Sequence, residues 1–180
     1  MRISKTVIAA TLSSGLFITG CAVSDDGHWG RSTLDVAPVT NATYKEECGS
    51  CHMAYQPGFL PARSWTKMMG DLENHFDENA ELDAETQKQL TVYLTENAAD
   101  YSDYKRSNAM MNSLRANDAP LRITGTRYFI RKHDELPKRM VANNPEVQSF
   151  SRCETCHTTA NKGSYNEHKV LIPGYGSWED

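Results

Sequence analysis

The sequence lacks a long apolar run, spare cysteines and an excess of positive charge. Its one extended apolar stretch, residues 7–18, is shorter than the about 20 residues that a membrane-spanning helix needs. Four of the five cysteines form two C-x-x-C pairs, so none remains to form a structural disulfide with Cys21. Acidic residues outnumber Lys and Arg by 23 to 19, and this imbalance argues against a nucleic-acid partner.

The first 20 residues have the pattern of a signal peptide. Arg2 and Lys5 precede the apolar run, which ends with small residues before Cys21. The segment ITGC at residues 18–21 resembles a lipobox, in which Cys21 would be lipidated, and it also fits an ordinary small-x-small cleavage site. We therefore expect a bacterial periplasmic protein with Cys21 as the lipidation candidate and a lipid anchor as its sole membrane attachment. Residues 21–39 are polar and predict a flexible leader.

One short motif occurs twice, as CGSCH at residues 48–52 and as CETCH at residues 153–157. In a C-x-x-C-H motif the two thiols attach a haem covalently and the histidine binds its iron. Two C-x-x-C pairs could instead hold one zinc ion or serve thiol redox chemistry, but neither requires a histidine directly after the second cysteine. The sequence thus predicts two haem c groups attached at Cys48, Cys51, Cys153 and Cys156, with His52 and His157 as proximal iron ligands.

The first haem iron needs a sixth ligand, for which His75, Met68 and Met69 are candidates. The two methionines fall on the apolar face of a predicted helix, where methionine more often fills core space than binds metal. His75 lies next to that face. We expect His75 to be the distal ligand, a choice that would leave the potential lower than methionine would.

For the second iron, His133 ends a predicted aromatic helix twenty residues before Cys153 and could fold back over the haem. His168 follows the second motif in a glycine-containing loop and is the alternative. We expect His133 to bind. The remaining candidates are Met110, Met111 and Met140. We expect Met110 and Met111 to fill the interface between the two halves of the chain rather than bind iron.

The periodicity predicts a mainly α fold with two small haem-binding domains, long irregular loops and little or no β-structure. The first domain is expected over residues 40–105 and the second over residues 106–180, with a polar stretch at their boundary. Predicted helices cover residues 41–47, 65–76, 83–97 and 126–133, and a fifth runs from residue 145 into the second motif. In the same order, their expected N-caps are Asn41, Ser64, Asp83, Thr126 and Asn144.

With these residues in view, the chain resembles the small bacterial dihaem cytochromes c with two bis-histidine haems. The resemblance spans residues 45–173 and rests on CGSCHMAYQPGFLPARSW, LENHF, YLTENAAD, LRITGTRYFIRKH and SRCETCHTTANKGSYNEHKVLIP. It implies distal ligation by His75 and His133, one haem in each of two domains, and electron delivery to a small oxygen-binding monohaem cytochrome c, commonly beside a membrane b-type cytochrome.

The function expected from the sequence is that of an electron carrier of the cell envelope. With both irons held by two histidines, the protein would have no substrate site and no catalytic residue. The alternative is a small dihaem enzyme of the peroxidase or reductase type, which needs one open or displaceable distal position and acid or base groups beside it.

Overall fold

A computed structural model describes residues 34–178, which belong to one compact unit and are mostly helical. The α-helices are α1 (Ala42–Gly49), α2 (Ala62–Met69), α3 (Ala84–Glu96), α4 (Lys105–Asn112), α5 (Arg127–His133) and α6 (Cys153–Cys156). Short 3₁₀ turns lie at Pro57–Phe59, Leu72–Asn74, Ala99–Tyr101, Ile123–Gly125, Lys138–Met140, Ala160–Lys162 and Glu167–Lys169. Strands β1 (Leu171–Ile172) and β2 (Gly176–Ser177) pair antiparallel. The expected mainly α fold with little β-structure is confirmed.

Three helices begin at the predicted caps. The Asn41 side chain accepts a hydrogen bond from the Tyr44 amide at the start of α1. Asp83 accepts from two amides of the first turn of α3, and the Thr126 hydroxyl accepts from the Phe129 amide in α5. Each cap satisfies donors that have no partner within the helix, so these starts are determined by local sequence.

The prediction for α2 is wrong at both ends. The helix begins at Ala62 after Pro61, and Ser64 is a buried residue of its first turn rather than its cap. It ends at Met69 with Gly70 as the C-cap, instead of continuing to Phe76. Pro61 is suited to the start because its fixed φ suits the extended cap conformation and it needs no amide donor.

The predicted helix from residue 145 to the second motif is also wrong, because these residues form turns. The Asn144 side chain accepts from the Glu146 amide as a cap would, but its amide group donates to the carbonyl of Pro173. Gln148 has a φ of 68°, which stops helix propagation. Two further elements were not predicted: α4 lies in the polar stretch, and a 3₁₀ turn occupies residues 123–125.

Two apolar clusters form the core. One consists mainly of residues before position 100 and includes Trp65, Leu90 and Leu94. The other joins both parts of the chain: Val36, Phe59, Met110, Ala160 and Tyr165. Contacts thus cross the predicted boundary at residues 105 and 106, and the division into two haem domains stays a prediction.

The end of the predicted leader belongs to the folded unit. Asp35 forms an ion pair with Arg106 at 3.0 Å and accepts a hydrogen bond from the Tyr165 amide, while Val36 is fully buried. The signal peptide, Cys21 and residues 21–33 lie outside the described residues. Within residues 34–178, no helix is both long and apolar enough to cross a bilayer.

Candidate haem sites

The first C-x-x-C-H motif lies at the end of α1. Cys48 is in the last turn of the helix, and Cys51 and His52 follow in the turn beyond it. Cys51 is exposed and Cys48 is half-buried. The His52 Nδ1 lies 2.8 Å from the Met53 carbonyl oxygen, a contact that suits an Nδ1–H donor and leaves Nε2 free to bind metal.

A tight turn brings His75 against His52. His75 follows the 3₁₀ turn Leu72–Asn74, and the next two residues, Phe76 and Asp77, have φ values of 57° and 77°. Such a left-handed pair is unfavourable for residues other than glycine, so it marks a strained reversal of the chain beside the site. The rings of His52 and His75 lie with their centroids 6.2 Å apart and their planes 21° apart.

The second motif is α6 itself. His157 follows the helix, and its amide donates to the Cys153 carbonyl at 2.8 Å. His133 is the last residue of α5, where its Nδ1 lies 2.9 Å from the Phe129 carbonyl oxygen and its ring stacks on the Phe129 ring at 3.9 Å. The centroids of His133 and His157 are again 6.2 Å apart, but their planes cross at 78°.

The spacing within each histidine pair fits one metal atom between the two rings. Imidazole–metal bonds are about 2 Å long, so two imidazoles bound on opposite sides of a metal have ring centroids about 6 Å apart. Both pairs have this separation. The His75 and His157 Nδ1 atoms are buried without a protein partner, whereas His52 and His133 each have a carbonyl partner.

A cavity that is partly open to solvent adjoins the second histidine pair. Both cysteines of the second motif line it, as do His133 and His157. Most of the wall is apolar or aromatic, and its lining residues include Phe59, Met110, Tyr128, Phe129, Val147, Phe150 and Tyr165. A large, flat, mostly apolar group that is attached through Cys153 and Cys156 suits such a cavity.

Burial favours the neutral form of three imidazoles: His75, His133 and His157. It lowers the pKa of His75 and of His133, and it lowers the pKa of His157 to about 4. Desolvation disfavours the charged form, and the neighbouring histidine lowers the pKa further for His75 and for His157. Neutral imidazole is the form that binds metal.

The cysteines do not resemble a zinc site or a thiol redox site. Within residues 34–178, no cluster of three or more His, Cys, Asp or Glu side chains could hold a metal ion, so the two C-x-x-C pairs do not combine. Burial raises the pKa of Cys48 to about 11 and that of Cys153 to about 12. Reactive or zinc-binding cysteines need stabilised thiolates, and these surroundings do the opposite.

Four of the competing distal candidates lie on the surface or in the apolar core. His168 is exposed on the 3₁₀ turn Glu167–Lys169 and is not part of the cavity lining. Met69 is buried in the first apolar cluster, and Met68 packs against it. Met110 lies in the cluster that joins both parts of the chain, as an interface plug would, and also borders the cavity.

Sequence reasoning missed two tyrosines that contact the proximal histidines, Tyr55 and Tyr165. The Tyr55 ring stacks on His52 with a centroid distance of 4.7 Å, and Tyr55 also lines the cavity beside His157. The Tyr165 ring lies 5.2 Å from that of His157. The only local signal was an aromatic residue three positions after His52. The Arg122 guanidinium stacks over the Phe76 ring, 3.9 Å from its centroid.

The chain is similar to one known family and to several solved structures. The family described as dihaem cytochrome c matches residues 44–165. An X-ray structure of a dihaem cytochrome c from Shewanella baltica OS155 is 45% identical with a TM-score of 0.65, covering 77% of this chain and 98% of that one. The dihaem cytochrome c from Rhodobacter sphaeroides is 44% identical with a TM-score of 0.65, covering 72% of this chain and 100% of that one. Among curated proteins the comparison finds no match.

Proposed function

The chain belongs to the dihaem cytochrome c family, and from this premise we propose that it carries electrons in the cell envelope with two axial histidines on each haem iron. Family membership itself makes it a haem-based electron-transfer protein with two covalently bound haem c groups. The finer proposal assigns His52 and His75 to the first iron, and His157 and His133 to the second.

The observation that carries the axial assignment is the equal spacing of the two histidine pairs. Each pair has its centroids 6.2 Å apart, as expected for two imidazoles bound to one metal. Two strong-field imidazole ligands fill the axial positions of an iron, so neither site would keep a position open for a substrate. This favours a carrier over a peroxidase or reductase, which needs such an opening.

The irons supply one-electron oxidation and reduction, and the protein supplies ligation, orientation and insulation. The Met53 and Phe129 carbonyls favour the Nδ1–H tautomer of His52 and His133, which would leave Nε2 of each ring free to bind iron. The mostly aromatic and aliphatic lining of the cavity beside His157 would surround the second haem with apolar side chains. No side chain is assigned a catalytic role.

Replacing each distal histidine tests the proposal. In protein produced with haem-maturation machinery, His75→Ala and His133→Ala should each convert one low-spin ferric haem into a high-spin one, which optical and electron-paramagnetic resonance spectra detect. His168→Ala is the matched control and should change neither haem. High-spin haem that reacts with peroxide in the unmodified protein would favour the enzyme alternative.

The location and partners are proposals that rest on the sequence. We propose a periplasmic protein exported by residues 1–20 and anchored through lipidated Cys21, and fatty-acid labelling that Cys21→Ser abolishes would support the anchor. Its redox partners would include a small monohaem cytochrome c and a membrane b-type cytochrome, met by transient docking. Stopped-flow oxidation of the reduced protein by such a monohaem cytochrome tests the first of these.

A further inference from the structure

Tyr55 contacts both haem sites. Its ring lies nearly parallel to the His52 ring, with an interplanar angle of 20° and a centroid distance of 4.7 Å. The same side chain also lines the cavity of the second haem site, together with His157 and Cys153. A residue with these two contacts fixes the plane of one proximal imidazole against the surroundings of the other haem.

The hydroxyl of Tyr55 anchors this ring. It donates to the Ser151 carbonyl at 2.6 Å, across 96 positions of sequence. Ser151 precedes Cys153 by two residues, so the acceptor is part of the backbone that enters the second motif. The orientation of the ring beside His52 is therefore tied to the position of the second haem attachment.

A second connection begins at the next residue. Gln56 is fully buried, donates through Nε2 to the Ala160 carbonyl at 2.6 Å, and accepts at Oε1 from the Tyr165 hydroxyl at 2.7 Å. The Tyr165 ring lies 5.2 Å from that of His157. Because buried polar groups are costly to leave unpaired, this network holds one geometry.

We propose that Tyr55, Gln56 and Tyr165 are positioning residues that hold the two proximal imidazoles, His52 and His157, in fixed orientations relative to each other. The proposal rests on the axial ligation proposed above. Its consequence is that the electronic properties of the two haems depend on one shared set of contacts, so a change in that set alters both.

The test uses the full-length holoprotein with two haems and compares Tyr55→Leu, Tyr55→Phe and Tyr101→Leu. Tyr101 is 72% exposed and serves as the matched control. Electron-paramagnetic resonance reports the axial ligand planes of each ferric haem, and spectroelectrochemistry gives the two reduction potentials. Circular dichroism and haem content verify that each variant is folded and loaded.

Tyr55→Leu removes both contacts and should shift the g values of the first haem and the reduction potential of the second. Tyr55→Phe keeps the aromatic ring but loses the bond to Ser151 that anchors it, so the second potential should shift and the first-haem g values should shift by less than in Tyr55→Leu. Tyr101→Leu should change none of these quantities.

A loaded Tyr55→Leu protein in which either haem keeps its original signal and potential would overturn the proposal. So would a Tyr55→Phe protein with an unchanged second potential. These results are distinguishable from failure of the axial assignment, because that failure would already appear in the unmodified protein as the absence of two low-spin signals.

Discussion

Replacing Gly163 with alanine should lower the free energy of unfolding, because the added methyl group would displace Val36 and Pro38 from their contact with residue 163. Gly163 has a φ of 77°, and a Cβ there would collide with the Val36 carbonyl oxygen and approach the Pro38 nitrogen to 3.3 Å. The Gly163 carbonyl accepts from the amides of Asp35 and Val36, at 2.9 and 3.2 Å. Alanine would thus strain its own backbone and displace the segment that contains the fully buried Val36.

The expected magnitude has two parts. A left-handed conformation costs a non-glycine residue about 1–2 kcal/mol. Forcing extra volume into a packed contact costs about 1–3 kcal/mol more. Gly174→Ala separates the two, because Gly174 has a φ of 75° with no atom within 4 Å of the added Cβ. Gly174→Ala therefore has the free-energy cost of the left-handed backbone conformation but no steric collision.

Guanidinium unfolding of the haem-loaded proteins, followed by far-ultraviolet circular dichroism, gives the free energy of unfolding of each variant. We expect Gly163→Ala to lose about 1–3 kcal/mol more than Gly174→Ala. Equal losses would refute the reasoning, because they would mean that residues 34–36 do not pack against Gly163.

Three further predictions concern stability and use the same unfolding measurement. Tyr165→Phe leaves the buried Oε1 of Gln56 without its donor and should cost about 1–3 kcal/mol, whereas Tyr175→Phe, whose hydrogen bond is exposed, should cost less; equal costs would contradict this. Asp77→Gly removes the strain of a positive φ but gives the unfolded chain more freedom, so the free energy of unfolding should rise by about 0.5 kcal/mol net. A net decrease would count against a strained turn. Thr126→Ala removes the cap of α5 and should cost about 1 kcal/mol, most of which Thr126→Ser should restore.

Helix starts were predictable from the sequence where a short side chain caps its own turn. Asn41, Asp83 and Thr126 each bond to amides two or three residues ahead, so the sequence contains the whole interaction. The same reasoning failed at Asn144, whose amide group donates to a carbonyl 29 residues away. It failed at Ser64 because that side chain is buried in the core.

The haem sites were predictable in their residues but not in their surroundings. The repeated C-x-x-C-H motif indicates attachment and proximal ligation by itself, and the need for a sixth ligand restricts the distal choice to a few residues. The contacts of Tyr55 with Ser151 and of Gln56 with Ala160 join residues about a hundred positions apart. No local pattern encodes such pairs, because they form only after both motifs have folded onto a common core.

Electron-paramagnetic resonance of the ferric holoprotein tests the central claim most directly. The angle between the two axial imidazole planes controls the d-orbital splitting of low-spin iron. Rings 21° apart should give the first haem a rhombic signal, and rings crossed at 78° should give the second a more anisotropic signal with a larger maximum g value. The account predicts two distinct low-spin signals of equal intensity. A high-spin signal from either haem in the unmodified protein would contradict it.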